Sequence, residues 1–283
     1  MRTLRSALAA AALLVAALLL PALAAAEPAG AGGAGGGIPP RSRWITPQFS
    51  ISMAELRSMT ASLPESIRSE IEARPVAFLD LMSRVLDEPA GNLVLVDKAH
   101  PLPAGYAPPA LVRLSDYHLA VSRNDLYLRA AIMPEVLAMT RAAREAGVVL
   151  LFSSTYRSYA VQRYVYDREI KLYGKKVADS ESAVPGYSQH QLGTAIDFGS
   201  ITDAFDATAA SRWLATHAWQ YGFSLSYPRG YEWLTGYRYE GWHYRYIGRP
   251  AAQMQRAFFG NIQQYLLVFL HEYRAAFLKN RLR

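Results

Sequence analysis

No cysteine occurs anywhere in the 283 residues. Disulfides, thiolate nucleophiles and acylated lipoprotein anchors are all excluded, and any metal must be held through nitrogen and oxygen. Long apolar runs are nearly absent too. Only Ala7 to Leu20 comes near the length and purity that a bilayer core demands, and nothing downstream is a candidate span. No basic stretch carries the interleaved aromatics of a nucleic-acid surface. The excess of 30 Lys and Arg over 23 Asp and Glu is modest. It serves solubility, and it would also favour an anionic polymer as partner.

What is there begins with a compartment signal. Arg2 and Arg5 precede the apolar run, and Ala24 and Ala26 supply the small residues of a cleavage site. The first 26 residues are therefore read as an export signal cut after Ala26, placing the protein in the periplasm or outside the cell. A retained anchor is the alternative; the A-x-A pattern and Pro21 favour removal. Cleavage leaves about 257 residues with 28 basic and 23 acidic side chains, and no stable membrane span. That length suits one domain with extensions. Lacking disulfides, its stability must come from a core.

Gly, Ala and Pro dominate the stretch that follows, so residues 27–48 are predicted to form a flexible leader. Residues 49–90 are a helical segment: Leu56, Met59, Leu63, Ile67, Ile71, Phe78, Leu79, Met82 and Leu86 recur at helical spacing, broken at Pro64 and Pro75. Residues 91–250 mix both periods. Asn92 to Val96 reads as a strand, then a proline-rich crossing, a helix from Ala130 to Glu145, and a strand from Val148 to Ser153. Helices at 160–172 and 209–221 alternate with strands at 194–198 and 242–247, an order that points to α+β. Residues 251–283 read as one amphipathic helix, with a stripe from Phe258 to Phe277 that would pack on the domain or lie on a membrane surface.

Three stretches carry chemistry: STYRSY at 154–159, SQHQLGTAID at 188–197 and EGWH at 240–243. His190 stands before Gly193, where the backbone can bend, and Asp197 lies on the strand beyond. An imidazole and a carboxylate offered from either side of a turn can converge on one ion, and the pair suits Zn²⁺. His243 can complete a three-ligand set that leaves a position for water. Glu240 can serve as general base and acid. Parity sets a condition here, because residues three apart on a regular strand face opposite ways. Glu240 should therefore precede the strand, with irregular backbone at Gly241. Arg157, after a buried-type strand, could brace an oxyanion or clamp a carboxylate, or be a salt-bridged structural arginine. The four other histidines, His100, His118, His217 and His271, have no such setting.

Together these stretches resemble the VanY-type D-alanyl-D-alanine carboxypeptidases, a branch of zinc peptidases that also includes D-alanyl-D-alanine dipeptidases and hedgehog-like domains. The family pattern S-x-H-x(2)-G-x-A-x-D followed by E-x-W-H is satisfied at 188–197 and 240–243, with supporting pieces at 156–162 and around the Tyr227–Pro228 dipeptide. The likeness covers roughly residues 92–250. It implies a hedgehog/D,D-peptidase fold, in which a small antiparallel sheet flanked by helices carries one zinc. His190, Asp197 and His243 would be its ligands, Glu240 the base and acid, and Arg157 the stabiliser of substrate and transition state. Gln162 and Ser188 would contact the peptide. Trp242 would line the same cleft or simply pack beside the ligand strand. The implied substrate is a peptidoglycan stem peptide ending in D-Ala-D-Ala; cutting an L,D bond, releasing a dipeptide, or a non-catalytic wall-binding role are the alternatives. The chain departs from the pattern at Gln189, Gly241 and Ser226, where many relatives carry Glu, Pro and Arg.

Overall fold

The computed structural model describes residues 43–282, so the export signal and most of the predicted leader lie outside the described residues. In chain order the elements are α1 (Met53–Thr60), α2 (Glu65–Ala73), α3 (Pro75–Leu86), β1 (Leu111–Arg113), β2 (Tyr127–Arg129), α4 (Met133–Glu145), β3 (Phe152–Ser154) and α5 (Tyr159–Tyr173). They continue with α6 (Lys175–Glu181), β4 (Ala195–Phe198), α7 (Ala209–His217), β5 (Phe223–Leu225), α8 (Glu232–Thr235), β6 (His243–Tyr246), α9 (Arg249–Phe258) and α10 (Gln263–Asn280).

Local chemistry explains the helix boundaries. Ser52 and Glu55 close a reciprocal capping box on α1. Pro64 and Pro75 sit at the start of α2 and α3, where a missing N–H costs nothing but forbids the preceding helix from continuing. Among the described residues no helix is long and apolar enough to cross a membrane.

Two cores result. The first joins α1–α3 to α9 and α10. Phe78 is its hub, meeting Phe258, Phe269 and Phe277 at ring separations of 5.4, 6.1 and 6.3 Å. The second lies under an antiparallel sheet of order β3-β4-β6-β5. Its apolar face, with Phe152, Ile196, Phe198, Phe223, Tyr244 and Tyr246, packs on Val136 and Met139 of α4 and Leu214 of α7. Alternation along β4 and β6 turns Asp197 and His243 to the opposite face. A β1–β2 ribbon stands beside it. The α+β arrangement is the one the order of elements predicts.

Three expectations are corrected. The C-terminal segment is two helices rather than one: Gly260 and Asn261 adopt φ of 60° and 63°, a left-handed conformation that a right-handed helix cannot pass through. Asn92 to Val96 is not a strand, because the carbonyls of Asn92 and Val94 accept from the guanidinium of Arg245, at 3.1 and 2.6 Å, instead of from a neighbouring strand. The leader does not run to residue 48. Thr46 bridges to Phe49, the Ser50 amide donates to Asn280 at 2.9 Å, and the Leu282 amide donates to Gln48 at 2.8 Å. Burial of Phe49 against Phe277 anchors this segment.

Candidate active site

His190 lies in a single 3-10 turn, Gln189–Leu192, capped at Gly193 in the left-handed region (φ 69°). A side chain at Gly193 would be strained by that φ, and its Cβ would press on Arg129, Pro108 and Leu111 at 3.1–3.2 Å. The turn delivers His190 onto the polar face of the sheet. There its Nε2 stands 3.1 Å from Asp197 Oδ2, while His243 Nδ1 stands 2.8 Å from Asp197 Oδ1. All three residues are buried, and their donor atoms fall within 4.8 Å of one another.

The surroundings select the donor atoms. His190 Nδ1 is 2.7 Å from the Thr155 carbonyl, which can only accept, so the ring's hydrogen sits on Nδ1 and Nε2 is left bare. Burial pushes the His190 imidazole down to about 4, against the pull of Asp197, so the ring is neutral at physiological pH. Burial alone would raise the Asp197 carboxyl, but the two imidazoles hold it well below the usual carboxylate range. Two imidazoles and one carboxylate form a nitrogen and oxygen set that fits Zn²⁺.

Glu240 precedes β6, which begins at His243. The Glu240 carbonyl accepts from the His243 amide at 3.1 Å, closing a turn through Gly241 and Trp242, and that turn meets the parity condition. Glu240 Oε2 thereby comes 3.7 Å from His243 Nδ1. The glycine is required here for space: a Cβ on Gly241 would overlap the Asp206 carboxylate and the Tyr239 hydroxyl. Burial raises the Glu240 carboxyl to about 7.

Arg157 reaches the same place from the end of β3. Its guanidinium donates to Ser154 Oγ at 3.0 Å and to Gln162 Oε1 at 2.8 Å, and stands 3.9 Å from Asp197 Oδ2. Arg157, Glu240, Ser188 and Trp242 all line one cleft of about 340 Å³ with the three metal candidates. Trp242 does both things weighed for it, lining the cleft and packing in the second core.

Gln162 does not line the cleft. It is fully buried on α5, and its amide nitrogen donates to Ser182 Oγ at 3.2 Å and to the Ala183 carbonyl at 2.6 Å. Expected to touch substrate, it instead accepts from the Arg157 guanidinium through its Oε1 at 2.8 Å. Conversely, sequence reasoning gave no site role to Tyr227, Tyr237 and Arg238, which line the cleft, or to Gln189, whose Oε1 is 3.2 Å from His243 Nε2. Tyr227 packs against His243 at a ring separation of 4.8 Å, and the Tyr-Pro dipeptide that contains it was the available signal.

Comparison with known proteins places this geometry in company. Residues 125–249 match the VanY family, described as D-alanyl-D-alanine carboxypeptidase. The chain is 36% identical over 177 residues to a Bacillus subtilis (strain 168) protein provisionally named carboxypeptidase YodJ, covering 60% of this chain and 64% of that one. It is 32% identical over 192 residues to the bifunctional D-Ala-D-Ala dipeptidase and D-Ala-D-Ala carboxypeptidase VanXYC of Enterococcus gallinarum, covering 65% of this chain and 95% of the relative. Among solved structures, the LdcB LD-carboxypeptidase aligns with a TM-score of 0.57 at 33% identity, over 62% of this chain and 86% of that one. A variant of the vancomycin-resistance D,D-pentapeptidase VanY in complex with Zn(II) aligns with a TM-score of 0.54 at 31% identity, over 62% of this chain and 99% of that one. The match spans a little under two thirds of YodJ and of an Enterococcus faecalis D-alanyl-D-alanine carboxypeptidase, 64% and 62% of their lengths.

Proposed function

Because the chain belongs to the VanY family of D-alanyl-D-alanine carboxypeptidases, we propose that it hydrolyses the terminal peptide bond of peptidoglycan stem peptides and releases D-alanine. The observation that carries this reading is the placement of Glu240, 3.7 Å from His243 Nδ1, at the edge of a three-donor ring. Mere binding needs neither a carboxylate held near neutrality nor a guanidinium aimed beside it.

His190 Nε2, the Asp197 carboxylate and His243 Nδ1 would hold the zinc ion. When bound, zinc supplies Lewis acidity and makes water a stronger acid at neutral pH. The remaining work falls to the chain's own groups. Glu240 accepts a proton from the attacking water, whose oxygen bonds to the scissile carbonyl carbon. Charge developing on the carbonyl oxygen is stabilised by Arg157, which Ser154 and Gln162 hold in place. As the C–N bond breaks, Glu240 passes the proton to the departing amine. Ser188 and Trp242 bound the cleft in which the peptide end lies.

The alignment with LdcB favours one second reading, in which the scissile bond is an L,D bond at the end of a tetrapeptide. A stem peptide lies outside the cytoplasm, and the charged, apolar and small-residue order of the first 26 residues supports export to meet it. The test is release of D-alanine from synthetic penta- and tetrapeptides by the purified protein, with mass analysis of products, before and after zinc chelation. Pentapeptide cleavage that stops on chelation and returns with zinc is the expected result. Cleavage of tetrapeptide alone would replace the D,D reading by the L,D one, and no cleavage by zinc-loaded protein would remove both.

A further inference from the structure

The polar face behind His243 holds three buried side chains that the mechanism above does not use: Gln189 and Ser226, each 3% exposed, and Gln263, 1% exposed. Gln263 is the first residue of α10, which lies beyond the residues 125–249 that match the family. Its Nε2 is 3.2 Å from the Ser224 carbonyl on β5. Its Oε1 is 3.4 Å from Gln189 Nε2 and 3.3 Å from Ser226 Oγ. Gln189 Oε1 is in turn 2.7 Å from Ser226 Oγ and 3.2 Å from His243 Nε2.

Amide oxygen and nitrogen have nearly the same shape, so their orientation must be deduced from partners of fixed character. The backbone carbonyl of Ser224 is such a partner, since it can only accept. Gln263 must therefore present its NH₂ to Ser224 and its oxygen to Gln189. Gln189 must then donate its NH₂ to that oxygen and turn its own oxygen toward His243. An oxygen facing the imidazole calls for a hydrogen on Nε2, and in a zinc-loaded ring, which carries one hydrogen, Nδ1 is then bare on the side of Asp197. Ser226 Oγ can donate to either amide oxygen without changing the orientation of the two amides.

We propose that Gln263 is a positioning residue for the metal ligand His243: through Gln189 it fixes the tautomer of that ring, so that His243 binds through Nδ1 while His190 binds through Nε2. The C-terminal helix is thus a functional part of the metal centre. This rests on the zinc reading above, but not on which peptide bond is cut.

Two measurements test it. In zinc-loaded protein with ¹⁵N-labelled histidine, long-range ¹⁵N–¹H spectra should show His243 carrying hydrogen on Nε2 and His190 carrying it on Nδ1. A spectrum in which His243 binds zinc through Nε2 overturns the proposal without any variant. Gln263→Leu, of similar size but unable to hydrogen-bond, should weaken zinc binding by about 10–100-fold in competition with a chromophoric chelator. Because the series passes through Gln189, adding Gln263→Leu to Gln189→Leu should weaken binding no further. A folded Gln263→Leu with wild-type zinc affinity sinks the idea; if that variant does not fold, the wild-type spectrum decides alone. D-alanine release by the wild type is scored separately: its absence counts against the peptidase reading, while the tautomers and affinities still judge Gln263.

Discussion

Asp197 on β4 and His243 on β6 are direct cross-strand partners, and their side chains meet with His243 Nδ1 2.8 Å from Asp197 Oδ1. Two of the three metal candidates are thus fixed by the pairing register of one sheet. A slip of a single residue would turn either of them into the apolar core. Only His190 arrives independently, from a turn closed by a glycine.

The division of labour between ligands and base separates two variants. Glu240→Gln is expected to retain one zinc per chain and to lose about 10²–10⁴-fold in kcat, the usual range for a positioned general base. His190→Ala should lose zinc and turnover together. Metal analysis alongside D-alanine release checks both; a Glu240→Gln enzyme with near-normal kcat would take the base role away from Glu240.

Stability of the zinc-free protein should depend on pH through the same carboxyl. Its value in the folded chain is raised to about 7 from the ordinary 4.5, by burial. Between those two pH values the folded chain keeps a proton that the unfolded chain has released. Its stabilising contribution is full below pH 4.5 and is lost as pH rises through 7. Glu240→Gln cannot ionise, so after chelation it should be the more stable protein at pH 8 by about 1–3 kcal/mol. At pH 4.5 the two should melt alike. Identical melting at pH 8 would show that the carboxylate is not desolvated.

Arg157 depends on the geometry of a planar fork, with one arm on Ser154 and the other on Gln162. A lysine keeps the charge but cannot reproduce that fork. Arg157→Lys is expected to lower kcat by about 10²–10³-fold, as loss of an oxyanion donor does, with zinc content unchanged. Gln162→Ala should lower kcat by a smaller factor, also at full zinc occupancy. If Gln162→Ala instead raised KM alone, direct contact with substrate would be the better account of that residue.

The helical core makes a demand unrelated to catalysis. Phe78 is fully buried and touches three aromatic rings from the last two helices. Phe78→Ala should cost about 3–5 kcal/mol of unfolding free energy, read from denaturant titration, because the removed ring leaves a cavity that packed helices cannot close. A cost below 1 kcal/mol would mean that the two ends of the chain are not held together by this cluster.

Much of the site was legible because its ligands come in short, spaced blocks. His190 to Asp197 spans a single turn and strand, and the parity argument alone placed Glu240 ahead of β6. What escaped depends on distant partners. Gln162 was implied as a pocket residue by the resemblance, and nothing in its own helix shows that Arg157 and the carbonyl of Ala183 would take up its amide. Asn92 to Val96 has the composition of a strand, yet an arginine more than 150 positions away satisfies two of its carbonyls. The break in the final helix was different. Gly260 and Asn261 announced it, and the apolar stripe running across them masked the signal.

The amides of Ser50 and Leu282 each donate to the opposite end of the described chain. Synthesis runs in one direction, so α1–α3 are made before α9 and α10, the helices that cover Phe78, Leu79 and Met82. The loop that must close between them spans most of the described residues, and long-range closure of this kind is slow. With Gln263 at its start, the docking of α10 closes the helical core and brings the Gln263 amide to Gln189 in the same event.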